Sequence, residues 1–214
     1  MTEVGLVGRA VLLRILFVFF LLSSRADCLA GDRISGSVGF FLFTDPGDDL
    51  WVSDRSYEAS TEYQFINAGV CYITSQICMG ASYLEAGVAN KISYASSNDD
   101  WRNGEATTKY SGLGFKIGYS GDAGLVATYT HLITPKMEVT EERKFSTIIT
   151  NYRVQVANMI DIGYGFKVAD LHFGPLLSQV SFVMNKYTDS EGNDVEVSRT
   201  DTFRIPYLAI WLDF

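Results

Sequence analysis

The chain is poor in several residue types that particular functions need. It has two histidines and three cysteines in 214 residues, too few to suggest a metal centre, and Cys71 and Cys78 have no histidine near them. Lys and Arg together number 17 against 25 Asp and Glu, a formal net charge of −8. That balance argues against nucleic acid as a partner, because phosphate binding needs clustered basic side chains. Only four prolines are present, so long strands meet few interruptions. Long apolar runs are missing too. The longest, Ile15-Leu16-Phe17-Val18-Phe19-Phe20-Leu21-Leu22, falls well short of the roughly 20 residues that a membrane-spanning helix requires. Phe, Tyr and Gly, by contrast, are abundant.

The one apolar run stands after Arg9 and Arg14 and before Cys28-Leu29-Ala30, which puts small residues at the −3 and −1 positions of a cut before Gly31. A charged region, a short apolar region and a small-residue cleavage site make a secretory signal peptide the expectation for residues 1–30. Its removal takes away Arg9, Arg14 and Arg25 against Glu3 and Asp27 and leaves a more acidic chain. Residues 31–214 suit one domain.

Turn residues and period-two alternation divide that domain into eight strands, at about 33–44, 60–74, 77–96, 107–120, 125–137, 146–168, 171–187 and 199–214. The intervening connections alternate long, short, long, short, long, short, long. The short ones are Ser75-Gln76, Gly121-Asp122-Ala123-Gly124 and Ala169-Asp170. Alternation assigns Leu113, Phe115, Ile117 and Tyr119 to one face of the fourth strand and Gly112, Gly114, Lys116, Gly118 and Ser120 to the other. In the sixth it assigns Tyr152, Val154, Val156, Ile160, Ile162, Tyr164 and Phe166 outward. Arg153, Gln155, Asp161, Gly163, Gly165 and Lys167 fall inward. The third strand loses phase near Tyr83–Gly87, where a bulge is expected. Pro135 and Pro175 mark candidate kinks or band edges in strands five and seven.

The last residues, Leu208-Ala209-Ile210-Trp211-Leu212-Asp213-Phe214, alternate and stop on an aromatic side chain. With the export signal and the eight alternating segments, this resembles the small bacterial outer-membrane β-barrels of the OmpA-like and OmpX-like class. The resemblance covers the whole of 31–214 and implies an all-β fold: a closed, antiparallel, eight-stranded, up-and-down transmembrane β-barrel. It implies an outer-membrane location, with Phe214 as part of the C-terminal signal read by the barrel assembly machinery. It also implies outer-membrane lipid and lipopolysaccharide as neighbours. Short turns would lie in the periplasm and long loops outside.

An eight-stranded barrel is just wide enough for its interior to be filled by side chains. Glu85, Lys116, Arg153, Asp161 and Lys167 are the inward charges, expected to pair in a network that plugs the lumen; a narrow polar pore is the alternative. Cys71 and Cys78 flank the Ser75-Gln76 turn on the inner face. The oxidising periplasm permits a disulfide, with two buried thiols as the alternative. Acyl-transfer enzymes on small barrels use a His with a Ser and a carboxylate. Here His131 is followed by Leu132-Ile133 rather than by a serine two positions on, and Ser178 stands several residues after His172. Both histidines are read as packed or interfacial, and no catalytic residue or cofactor is expected. The loops are acidic, through Asp45, Asp48, Asp49, Asp54 and Glu58, then Asp99, Asp100 and Glu105, then Asp189, Glu191, Asp194 and Glu196. None has calcium-loop spacing. They are read as solvated loops, with an extracellular ligand as the alternative. Trp51 and Trp101 are candidates for the interfacial aromatic girdle. The expected function is a structural or surface-interaction protein of the outer membrane. A narrow channel for ions or small solutes comes second, and a lipid-modifying enzyme third.

Overall fold

The computed structural model describes residues 32–45, 47, 50–52, 55–94, 104–121, 123–143, 146–168, 171–189 and 192–214, the side chains of 50–58, 92–94 and 143 excepted. The expected signal peptide at 1–30, and Asp48, Asp49, Asp54, Asp99, Asp100, Trp101 and Glu191, lie outside the described residues, as do the side chains of Trp51 and Glu58.

The described residues are strands and turns, without a helix. In chain order they are β1 (Arg33–Asp45), β2 (Leu50–Val52), β3 (Arg55–Thr74), β4 (Ile77–Tyr94), β5 (Gly104–Ser120), β6 (Leu125–Leu132), β7 (Lys136–Arg143), β8 (Ser146–Tyr164), β9 (Phe166–Val168), β10 (Leu171–Thr188) and β11 (Asp194–Asp213). β6 and β7 form one interrupted strand, as do β8 and β9, and β2 is a short appendage on β3. The remaining pairings run antiparallel from β1 through β3, β4, β5, β6/β7, β8/β9, β10 and β11, and back to β1. Eight strands thus close into an up-and-down ring. At the seam the Phe214 N–H donates to the Ile34 carbonyl at 2.7 Å, and the Ile34 N–H donates to the Phe214 carbonyl at 3.2 Å. Closure leaves no sheet edge.

The tightest turn has Ser75 at φ 48° and Gln76 at φ 68°. Two successive positive φ values match the right-handed twist of the flanking strands. This turn, the Gly121–Gly124 turn and the strand ends Val168 and Leu171 share one end of the ring with Arg33 and Phe214; the strand ends Tyr94, Gly104, Arg143, Ser146, Thr188 and Asp194 share the other.

The strands run further toward the loop end than alternation suggested. β3 begins at Arg55, β5 at Gly104 and β11 at Asp194. Glu141-Glu142-Arg143, which falls between the fifth and sixth expected strands, belongs to β7, where Glu141 pairs with Ile148. The bulge expected at Tyr83–Gly87 is absent: β4 keeps one register against β3 and against β5 throughout. The irregularities lie elsewhere. The Ile133–Pro135 interruption adds one residue opposite β5, where Ile133 N–H and Thr134 N–H both point to the Leu113 carbonyl at 2.8 and 3.3 Å. Gln155 on β8 and Asn185 on β10 are skipped in the ladder between those strands.

The two faces exchange character along the strands. At the turn end the outward face is apolar: Leu113, Phe115 and Ile117 on β5, Ile160, Ile162 and Tyr164 on β8, and Leu208, Ile210 and Leu212 on β11 are all exposed. Toward the loops the outward positions become Gln64, Glu85, Lys109, Arg153, Gln179 and Arg204. The inward ones there become Phe65, Leu84, Tyr110, Met137, Phe182 and Met184. The inner core therefore spans the lumen as one apolar cluster.

Candidate functional site in the barrel interior

Each strand sends every second side chain inward, so the interior is built in storeys. At the turn end, Arg33 Nε lies 3.2 Å from Asp213 Oδ2. His172 Nε2 lies 3.1 Å from the same oxygen, and the Trp211 ring stacks on His172 with centroids 5.5 Å apart. His172 is 1% exposed. Beside this group Cys71 and Cys78 are joined in a disulfide, Cα atoms 5.4 Å apart. They are diagonal neighbours, because Cys71 pairs with Gly80 and Ile73 with Cys78.

The next storey is polar. Asp161, 1% exposed, accepts the Tyr207 hydroxyl at 3.0 Å, and Asn67 Nδ2 and Thr128 Oγ1 at 3.4 Å each. Lys116 Nζ stands 3.9 Å away, an ion pair too long for a hydrogen bond. Asn67 Oδ1 accepts the Ser82 hydroxyl at 2.7 Å. Tyr207 fits because β1 has no side chain at Gly39: a Cβ there would collide with the Tyr207 ring. A cavity of about 40 Å³ adjoins the group, lined in part by Ser35, Ser37, Lys116, Thr128 and Asp161, with room for about three water molecules.

Above it the buried luminal side chains are mostly apolar. Phe65, Leu84, Ala157, Met159, Val180 and Phe182 are each 0% exposed. At the loop end of this plug Tyr110 packs between Phe182 and Phe203, centroids 5.0 and 5.1 Å away. Its hydroxyl donates to Asp201 Oδ2 at 2.7 Å. Arg199 Nε donates to Asp201 Oδ1 at 2.9 Å, and its guanidinium lies 5.4 Å from the centre of the Tyr152 ring.

Of the five charges read as luminal, the structure brings together two, Lys116 and Asp161. Glu85 and Arg153 lie on the outer face, a correction with two causes. On β4 the faces exchange character between Tyr83 and Glu85, so an outward carboxylate follows an outward apolar run without any bulge. On β8 the extra residue Gln155 reverses the phase: Tyr152 and Val154 turn inward, contrary to the alternation reading, and Arg153 outward. Lys167 pairs with His172 at the turn-end rim but is exposed. Asn67, Thr128 and Tyr207 complete the polar storey and were not singled out as site residues. Tyr207 could have been found, since the alternation that turns Leu208 and Ile210 outward turns Tyr207 inward. His131, exposed, donates from Nδ1 to Asn158 Oδ1 at 2.9 Å on the outer surface.

No protein-family model and no curated protein matches this chain.

Proposed function

We propose that the protein is an integral outer-membrane β-barrel with a structural or surface-interaction role and a closed lumen. One observation carries the reading: a continuous girdle of exposed large apolar side chains encircles the turn-end half, from Phe40 and Leu42 on β1 through Leu113, Ile160 and Phe173 to Ile210 on β11. Apolar patches on water-soluble monomers rarely exceed a few hundred Å², whereas a lipid-facing surface is apolar by necessity, and a closed ring satisfies its backbone groups within the bilayer. Termini and short turns at one end would lie in the periplasm, with the extended strands outside. The Phe65–Phe182 plug supports a structural role over a channel. Its buried apolar side chains stand between the Asp161 storey and the loop end.

The test is the purified, refolded protein in a planar bilayer, with a gel shift between heated and unheated samples as proof of folding. A folded barrel without conductance steps is the expected result. Stable steps would make the narrow channel the better account. Failure to enter bilayers at all would remove the membrane reading.

A further inference from the structure

The wall of the ring has a break. β6 pairs with β8 from Leu125–Tyr164 to His131–Asn158, and β7 resumes with Met137–Tyr152. Between these points residues 132–136 and 153–157 face each other without ladder pairs, although the register on either side is the same. Pro135 stands in the gap and has no N–H to donate. A cavity of about 480 Å³ opens here, within the usual size range of small-molecule sites, roughly 300–1,000 Å³. Its lining mixes inward side chains, Tyr110, Met137 and Tyr152, with outward ones, Glu85, Lys109, Lys136, Glu138 and Arg153, so it reaches through the wall.

The cavity lies where the outward face changes from apolar to polar. Leu113 and Ile133 approach it from the girdle, exposed by 50% and 66%. Lys109, Lys136 and Arg153 are exposed around its mouth, and no ion pair among the described residues engages them. Glu85 is occupied by the Tyr83 hydroxyl at 3.1 Å. Three cations outnumber the two carboxylates, Glu85 and Glu138, and with an apolar slope and an aromatic floor they fit one chemistry: a phosphate-bearing head on an acyl tail.

We infer that this wall cavity is a binding site for a phosphorylated lipid of the leaflet at the loop end. Arg153, Lys136 and Lys109 contact the phosphate, and the acyl chain lies along Leu113 and Ile133. The inference rests on the reading of the girdle as lipid-facing. The test is native mass spectrometry of the protein released from phosphatidylcholine discs doped with monophosphoryl lipid A or with its dephosphorylated counterpart. Wild type should retain the phosphorylated lipid selectively. The Lys109→Gln/Lys136→Gln/Arg153→Gln variant should need roughly tenfold more, as expected for loss of charge-assisted contacts. Ser111→Trp, which fills the cavity without changing its charge, should also lose retention. Equal retention by wild type and the triple variant would overturn the inference, as would retention that ignores the phosphate or survives Ser111→Trp. Displacement by inorganic phosphate alone would overturn its lipid part. A barrel that enters no disc refutes the membrane reading, whereas an inserted barrel without phosphate preference refutes only this inference.

Discussion

Asp161 holds the interior together through acceptance rather than charge alone. Its carboxylate takes hydrogen bonds from Tyr207, Asn67 and Thr128 and faces Lys116. Asp161→Ala leaves Lys116 buried without its counter-charge, a change that costs about 3–5 kcal/mol. Lys116→Met/Asp161→Asn should lose far less, and urea unfolding read by the gel shift would compare the two. A single-mutant loss under about 1 kcal/mol would mean that Lys116 finds water instead. Asp32 offers a pH readout outside the girdle. Hydrogen bonds from the Tyr72 and Thr74 hydroxyls hold its carboxyl below the ordinary value of 3.8, the Tyr72 bond at 2.5 Å. A depressed carboxyl adds stability above its unfolded pKa and loses it as pH falls through the folded one. Tyr72→Phe should therefore be slightly less stable than wild type near neutrality and converge on it below about pH 4. A gap that persists in acid would assign the effect to packing of the ring. At this scale Lys116, Asp161 and the cysteine pair were legible, because they sit in the turn-end half where polar side chains face inward. Glu85 was not, because its polarity signals the opposite face once the girdle has ended.

Among the elements, the β3–β4 hairpin is the most constrained. A two-residue turn of positive φ and a disulfide of sequence separation 7 lie within a few residues of each other. A cross-link over so short a loop should contribute about 2–3 kcal/mol on the chain-entropy account. Cys71→Ser/Cys78→Ser, or wild type under reductant, should show a correspondingly lower urea midpoint. An unchanged midpoint would show that the turn alone fixes the hairpin. Element number and the short-turn positions were legible because Ser75-Gln76 and the Gly121–Gly124 segment interrupt otherwise clean alternation. Interruptions inside a strand were not. In β8, Tyr152, Val154 and Val156 read as one outward series, and nothing in their chemistry reveals that Gln155 is the residue left over. Pro135 did mark the break in the fifth strand, but the chain continues as β7 beyond the expected end of that strand near 137: past the apolar girdle, charge such as Glu141-Glu142 is no argument against pairing.

The whole molecule joins two kinds of barrel end to end. The turn-end half is inverted, apolar outside and polar within; the loop-end half has the polar exterior and apolar interior of a water-soluble protein. Closure and strand count followed from the alternation of long and short connections. The exchange did not, since alternation marks one apolar face per strand and these strands turn theirs from outside to inside part-way along. In the proposed bilayer this exchange acts as a depth gauge. Sliding toward the periplasm by one residue pair would carry Glu85, Arg153 and Arg204 toward hydrocarbon, where a basic side chain costs up to about 2–4 kcal/mol at the midplane. The gauge is also uneven. On β5 the outward apolar run from Leu113 to Tyr119 climbs about 20 Å along the strand, or about 15 Å along the membrane normal at the usual tilt, against roughly 25 Å for a typical barrel band. Along β8 and β9 the outward apolar run from Ile160 to Val168 is longer. Lipids beside β5 would have to thin or tilt to match it, at an elastic cost of fractions of a kcal/mol for each Å of mismatch. The barrel would thus deform its bilayer asymmetrically, and two such barrels could relieve that strain by setting their short sides together.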